Sequence, residues 1–120
     1  METLKSFIKY PNHYAVFFYD KQMNFIGSYS ISENYLYNVH VLEERKGKGH
    51  GSKMVRHATC EKRELYLDVD PENTEAKRCY ERCGFVYEKK LFNYHHPCWG
   101  KGVPPATEIE RYVWRSAGKL

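Results

Sequence analysis

The sharpest chemical signal in this 120-residue chain is the stretch Arg45-Lys46-Gly47-Lys48-Gly49-His50-Gly51-Ser52, which lies between a segment of strand composition and one of helical spacing. At such a junction the first amides of the helix lack intrahelical partners and carry partial positive charge, so they favour an anion. Glycines at alternate positions remove the Cβ atoms that would hold an anion off the backbone, and they permit positive φ. Lys46, Lys48 and Lys53 add mobile positive charge. The chemistry this predicts is a cradle for a diphosphate; the plain alternative is a solvated turn. Two familiar phosphate loops fit badly. GxxxxGK[ST] fails because Ser52 precedes Lys53, and GxGxxG fails because the spacing is GxGxG.

A second group is acidic. Asp68, Asp70 and Glu72 crowd five residues at the end of a strand, where three carboxylates attract a cation. Asp68 and Asp70 share one face by the period of two. Asp70 and Glu72 also suit the start of a helix through the macrodipole, an explanation that needs no substrate. His40, on the strand before the glycine stretch, is of the residue type that titrates near neutrality. Cys79, Cys83, His95, His96 and Cys98 are of types that ligate zinc, but their spacing matches no CxxC-type site, and no metal is expected.

These groups need elements to hold them. Tyr14–Tyr19 and Phe25–Ile31 have strand composition around the turn Asp20-Lys21-Gln22-Met23-Asn24, and Tyr35–Leu42 forms a third strand. Met54, Val55 and Ala58 space a helix from Ser52 to about Arg63. Leu65-Tyr66-Leu67-Asp68-Val69 alternates as a strand, and Asp70-Pro71-Glu72-Asn73 offers helix-start signals with Asp70 or Asn73 as cap. Ala76, Cys79, Tyr80 and Cys83 fall at i, i+3, i+4 and i+7, a stripe expected to be buried, and Gly84 closes that helix. Phe85–Phe92 and Glu108–Trp114 complete the order βββαβαββ: a mixed α/β fold in one domain spanning residues 1–120.

Apolar residues make up 42% and aromatics 16% of the chain, which excludes disorder and low complexity. The net charge of +4 suits a phosphate-bearing partner but is weaker than nucleic-acid binders usually show, so nucleic acid is not expected as a partner. No run approaches a membrane span and no apolar leader opens the chain, so an intracellular, cytoplasmic setting with free thiols is expected.

The loop Lys46-Gly47-Lys48-Gly49-His50-Gly51 resembles the acetyl-CoA loop of the GNAT superfamily of N-acetyltransferases, Gln/Arg-x-x-Gly-x-Gly/Ala, with Lys at the first position. The later block Asn73-x-x-Ala76-x-x-x-Tyr80-x-x-x-Gly84-Phe85 resembles that superfamily's following helix, and together the blocks span residues 39 to 85. The resemblance implies a mostly antiparallel mixed sheet with two main helices. The two early helices of the family have no room between Tyr14 and Tyr35. Compactness makes the chain similar to small virus-encoded polyamine acetyltransferases.

The resemblance further implies a strand that splays from its neighbour at Val39, His40 and Val41, so that Val39 and Val41 meet the cofactor arm. It implies acetyl-CoA phosphates on Lys46, Gly47, Lys48, Gly49, His50, Gly51 and Ser52, and Asn73 bonded to the same arm. Tyr80 matches the family's tyrosine, whose phenol can protonate a departing thiolate; otherwise Tyr80 packs in the core. A primary amine must lose a proton before it attacks, and His40 ranks just ahead of Asp68 acting through water. The acidic group Asp68, Asp70 and Glu72 favours a small diamine or polyamine as acceptor. A protein lysine or N-terminus, or a non-enzymatic CoA- or nucleic-acid-binding module, are the alternatives. Gly84-Phe85-Val86 echoes an RNA-recognition strand, but that motif needs a further glycine and aromatic that are missing here. Without the early helices one sheet face stays partly bare, with Tyr29, Tyr35, Tyr37, Tyr66 and Trp114 as candidates to cover it or to form a homodimer.

Overall fold

A computed structural model describes residues 2–9 and 12–116. Seven strands form one sheet: β1 (Glu2–Lys9), β2 (His13–Tyr19), β3 (Phe25–Ser32), β4 (Tyr35–Val41), β5 (Glu64–Val69), β6 (Val86–Tyr94) and β7 (Ala106–Arg115). Helices α1 (His50–Thr59) and α2 (Thr74–Arg82) follow β4 and β5. The strand order is β1-β2-β3-β4-β5-β7-β6, and every pairing is antiparallel except β4 with β5. This is the mixed, mostly antiparallel sheet with two helices expected from the sequence, with one strand added. Strand β1 escapes the sequence reading because its described side chains from Glu2 to Ile8 are all exposed, which leaves little hydrophobic contrast to detect. No α-helix precedes α1 among the described residues, only the single 3-10 turn Glu43–Arg45, and no helix is long and apolar enough to cross a membrane.

Alternation sorts the sheet into two faces. Val16, Phe18, Ile31, Leu36, Leu65 and Leu67 turn to the face that the helices cover. Met54 and Val55 of α1, both fully buried, key into that face. Each such side chain contributes about 1.5–3 kcal/mol of burial. The start of α1 is therefore held firmly against β3 and β4.

One irregularity in β4 decides what the helices see. Ser30 opposes Tyr37 and Ser28 opposes His40, so Asn38 and Val39 together face one residue of β3; Asn38 takes φ +52° at this bulge. Regular alternation from Leu36 would aim residues 38 and 40 at the helices. The bulge aims Val39 and Val41 there instead, where they pack against the core.

The second face carries no helix. Tyr35, Tyr37 and Tyr66 lie on it as expected, but Tyr29 and Trp114 do not. Tyr29 is 2% exposed on the helix side, with its hydroxyl 2.7 Å from His57 Nδ1, and Trp114 packs against the end of α2 beside Gly84. Their strand positions alternate to the covered face, and this overrides the amphipathic character of the rings.

Candidate functional site

Gly47 and Gly49 adopt φ +80° and +81°, and a Cβ added at either would meet nothing within 4 Å. Both thus present open backbone in a conformation that favours glycine. Gly51 already lies inside α1, where a Cβ would make ordinary contact with Cys79 Sγ at 3.8 Å. Helix α1 begins with Gly49 as N-cap, has no side-chain cap and carries no acid in its first turn. Its leading amides are left to an outside acceptor.

His50 Nδ1 is buried without a hydrogen-bond partner. Burial lowers the His50 pKa, and Lys53, Arg45 and Lys48 lower it further, so the ring is neutral near pH 7. An orphaned ring nitrogen, open glycine backbone and surrounding cations fit a diphosphate, and they fit it better than they fit a solvated turn.

Helix α2 supplies the opposite wall. Val39, Val41, Lys46, Gly47, Gly49, His50, Gly51, Ser52, Asn73 and Tyr80 enclose a cleft of about 440 Å³ together with Arg45, Glu75, Ala76, Cys79 and Arg82. Nearly all the residues read as cofactor-binding meet here. Lys48 is exposed and does not line the cleft, because the turn at Gly47–Gly49 carries it outward; Lys46 is drawn 2.9 Å from Glu43.

The stripe Ala76, Cys79, Tyr80 and Cys83 is buried only at Cys83; the other three are half-exposed and line the cleft. The sequence puts Cys79 in a stripe expected to be buried and does not single out Arg82, since a helical stripe looks alike whether it faces a core or a cavity. Asn73 Oδ1 caps α2 by accepting from Ala76 N at 3.1 Å, which leaves its side-chain amide N–H groups free of that cap. Burial, followed by the nearby Cys79 and Cys83, pushes the Tyr80 pKa up to about 12. Ser52 Oγ lies 3.5 Å from Cys79 Sγ, and Cys83 Sγ donates to Ser52 O at 3.6 Å, so the two walls are tied together.

Strands β4 and β5 pair only through Tyr35–Tyr66 and Leu36–Leu67. Beyond that point they diverge, and the β5-facing backbone edge of Val39–Val41 borders the cleft. A slot open to an extended ligand thus leads from the glycine cradle into the sheet.

The acidic group divides. Asp68, with its side chain 2% exposed, accepts from Arg111 Nε at 2.8 Å and Arg111 Nη2 at 3.0 Å. The expected roles of Asp68 as water-assisted base and cation-attracting carboxylate are corrected, since its charge is already matched by a bidentate guanidinium across the β5–β7 ladder. Asp70 is exposed and accepts from Glu72 N at 2.9 Å, as a turn residue at the start of α2, and Glu72 is exposed beside it. His40 is exposed opposite Ser28, on the face away from the helices, because the bulge at Asn38 reversed its side.

On that helix-free face lies a second cleft of about 670 Å³, between the start of β4, β5, β7 and the loop after β6. The His96 ring stacks on Tyr35 at 3.8 Å and 9°, and burial lowers the His96 pKa while raising that of Tyr35. Its parts, the aromatic strand residues and the His95-His96-Pro97-Cys98 loop, were visible in the sequence. Their meeting depends on β7 inserting between β5 and β6. Among the described residues no three His, Cys, Asp or Glu side chains are grouped to hold a metal.

Comparison with known proteins agrees with this geometry. Residues 2–85 match the model of the Acetyltransferase (GNAT) family. A 5-NmdU N-acetyltransferase from Pseudomonas phage PaMx11 is 44% identical over 56 residues, which cover 45% of this chain and 40% of that protein. The chain thus spans about two-fifths of the curated relative it matches. The fold superposes on spermidine N-acetyltransferase from Vibrio cholerae in complex with CoA and spermine, with TM-score 0.71, 22% identity and coverage of 88% of this chain and 66% of that one. It superposes equally on a Bacillus subtilis acetyltransferase in complex with CoA, with TM-score 0.71, 14% identity and coverage of 89% and 79%.

Proposed function

Because the chain belongs to the GNAT acetyltransferase family, we propose that it is an N-acetyltransferase that moves the acetyl group of acetyl-CoA to a primary amine carried on a modified nucleotide base. The observation that carries the transferase reading is the divergence of β4 from β5 directly above an uncapped, glycine-led helix start. Slot and anion cradle follow one another along the chain, β4 first and then the glycine-led start of α1.

The residues divide the work as follows. Amides at the start of α1, with His50 and Lys46, hold the diphosphate. Val39–Val41 present backbone groups to the extended arm. Acetyl-CoA, when bound, supplies an activated thioester carbonyl. Tyr80, protonated throughout the physiological range, donates a hydrogen bond to the sulfur as it leaves. With so raised a pKa it stabilises the developing thiolate more than it surrenders its proton. His40 is exposed on the face away from the cofactor and lines neither cleft, so its part as base is confined to taking the amine's proton through water.

The acceptor class rests on two supports. The phage relative carries 5-NmdU in its name, and the engagement of Asp68 by Arg111 removes one of the three carboxylates that favoured a polyamine. This departs from the expectation, drawn from the modest net charge and the incomplete RNA-recognition strand, that nucleic acid is not a partner. A small polyamine remains the second reading, favoured by exposed Asp70 and Glu72 and by the spermidine enzymes among the structural neighbours. Acetyl-CoA turnover with 5-NmdU and with spermidine separates the two. The proposal expects kcat/KM higher by about tenfold or more for 5-NmdU, and a preference for spermidine overturns it in favour of the second reading.

A further inference from the structure

We infer that the cleft on the helix-free face is the acceptor site, and that it takes a uracil-type ring by stacking on the His96–Tyr35 column while side-chain amides read the ring edge. The inference rests on the acceptor class proposed above and assigns it a place.

Position comes first. Tyr35 belongs to this cleft and Val39 to the cofactor cleft, four residues further along β4, which is about 13 Å of strand. The two clefts open on opposite faces of the sheet, and the divergence of β4 from β5 begins between them, immediately after Leu36 and Leu67. An acceptor held on one face and a thioester held on the other can meet only through that gap.

Chemistry comes second. Tyr37, Tyr35 and His96 form a column of near-parallel rings, with centroids 5.8 Å and 3.8 Å apart and interplanar angles of 14° and 9°. A planar base extends such a column at little conformational cost. His96 Nδ1 accepts from Cys98 N at 3.1 Å, which fixes the neutral ring with its proton on Nε2, a donor suited to a carbonyl oxygen. Asn12 and Asn34 line the same cleft, and a carboxamide offers the donor and acceptor pair that complements the N–H and C=O of an imide edge.

Charge argues the same way. Arg111, in the lining, is already matched by Asp68, and Glu33 at the rim is the one carboxylate among the lining residues. A polycation finds little to hold it there, whereas a neutral ring loses nothing.

The test uses the full chain with 5-NmdU presented as the free nucleoside and, in parallel, within a single-stranded oligonucleotide, because the ring is common to both sources. His96→Ala and Asn34→Ala are both partly exposed substitutions that spare the core. The inference expects each to raise KM for 5-NmdU by about tenfold or more while KM for acetyl-CoA stays put. The effect in either arm supports the site, and a lower KM for one arm names the source. Unchanged KM for 5-NmdU in both variants overturns the site but leaves the acceptor class standing. If the wild-type chain does not acetylate 5-NmdU, the acceptor class fails, and a deoxyuridine titration followed by imidazole NMR decides the cleft alone. Movement of the His96 resonance without that of His50 supports it, and a silent His96 overturns it.

Discussion

Asp68 and Arg111 face each other as cross-strand partners in the β5–β7 ladder, and the guanidinium grips both carboxylate oxygens at 2.8 and 3.0 Å. The acid side chain is 2% and the base 16% exposed, so the carboxylate is enclosed while the guanidinium borders the open cleft on the helix-free face. Removing Arg111 leaves the enclosed Asp68 carboxylate without its two donors, which costs about 1–3 kcal/mol. Arg111→Ala is expected to lower the urea midpoint accordingly, whereas the double change Asp68→Leu with Arg111→Met should restore most of the loss. A single-variant loss below about 1 kcal/mol would show the pair to be solvated.

With Tyr80 proposed as the donor to the leaving sulfur, Tyr80→Phe should lower kcat by about ten- to a hundredfold with KM for acetyl-CoA nearly unchanged. Steady-state kinetics at saturating amine provide the check. An unaltered kcat would return Tyr80 to a packing role beside Phe85, whose ring lies 6.1 Å away.

Gly27 sits where no side chain fits. A Cβ there would lie 2.3 Å from His40 O and 3.1 Å from Val41 Cα, so Gly27→Ala must push away the part of β4 that borders the cofactor slot. Since backbone cannot yield as a side-chain tip can, the expected result is a destabilisation of at least about 2 kcal/mol together with weakened CoA affinity. Thermal melts with and without CoA measure both, and a variant of wild-type stability would contradict this packing.

Acidity acts through the depressed histidines. His50 and His96 both have pKa values lowered by burial first, so the folded chain resists their protonation while the unfolded chain accepts it near pH 6.5. Between the folded and unfolded values the unfolded state binds more protons, so stability present above about pH 6.5 is lost as pH falls. Phosphates held beside His50 raise its proton affinity, so the gain in Tm on adding CoA should grow as pH falls from about 7.5 to about 6. His50→Asn should flatten that growth. An increment independent of pH in the wild-type chain would place the phosphates away from His50.

Much of this was legible in the residues. The glycine stretch announced positive φ, found at Gly47 and Gly49, and alternation placed Leu65, Leu67 and Val69 on the covered face. Asn73 is the helix cap that the sequence offered, and it also lines the cleft where a bond to the cofactor arm is proposed. What stayed hidden was non-local. The bulge at Asn38 reverses the face of His40, and no local pattern predicts a left-handed asparagine in mid-strand. The partner of Asp68 lies 43 residues away on β7, so three carboxylates in a row looked free when one was already engaged. Stripe periodicity on α2 gave the correct face but not whether that face met core or cavity.

In the proposed function, open peptide groups at Gly47 and Gly49, leading into α1, hold CoA. Calorimetric titration of CoA into the wild-type chain and into Gly49→Val tests it most directly. A branched side chain at φ +81° strains the loop while touching nothing else within 4 Å of its Cβ, so the variant should keep its circular dichroism and thermal transition. The account predicts one CoA per wild-type chain and an affinity about a hundredfold weaker or undetectable in the variant. Equal heats from both proteins, or none from the wild type, would contradict it.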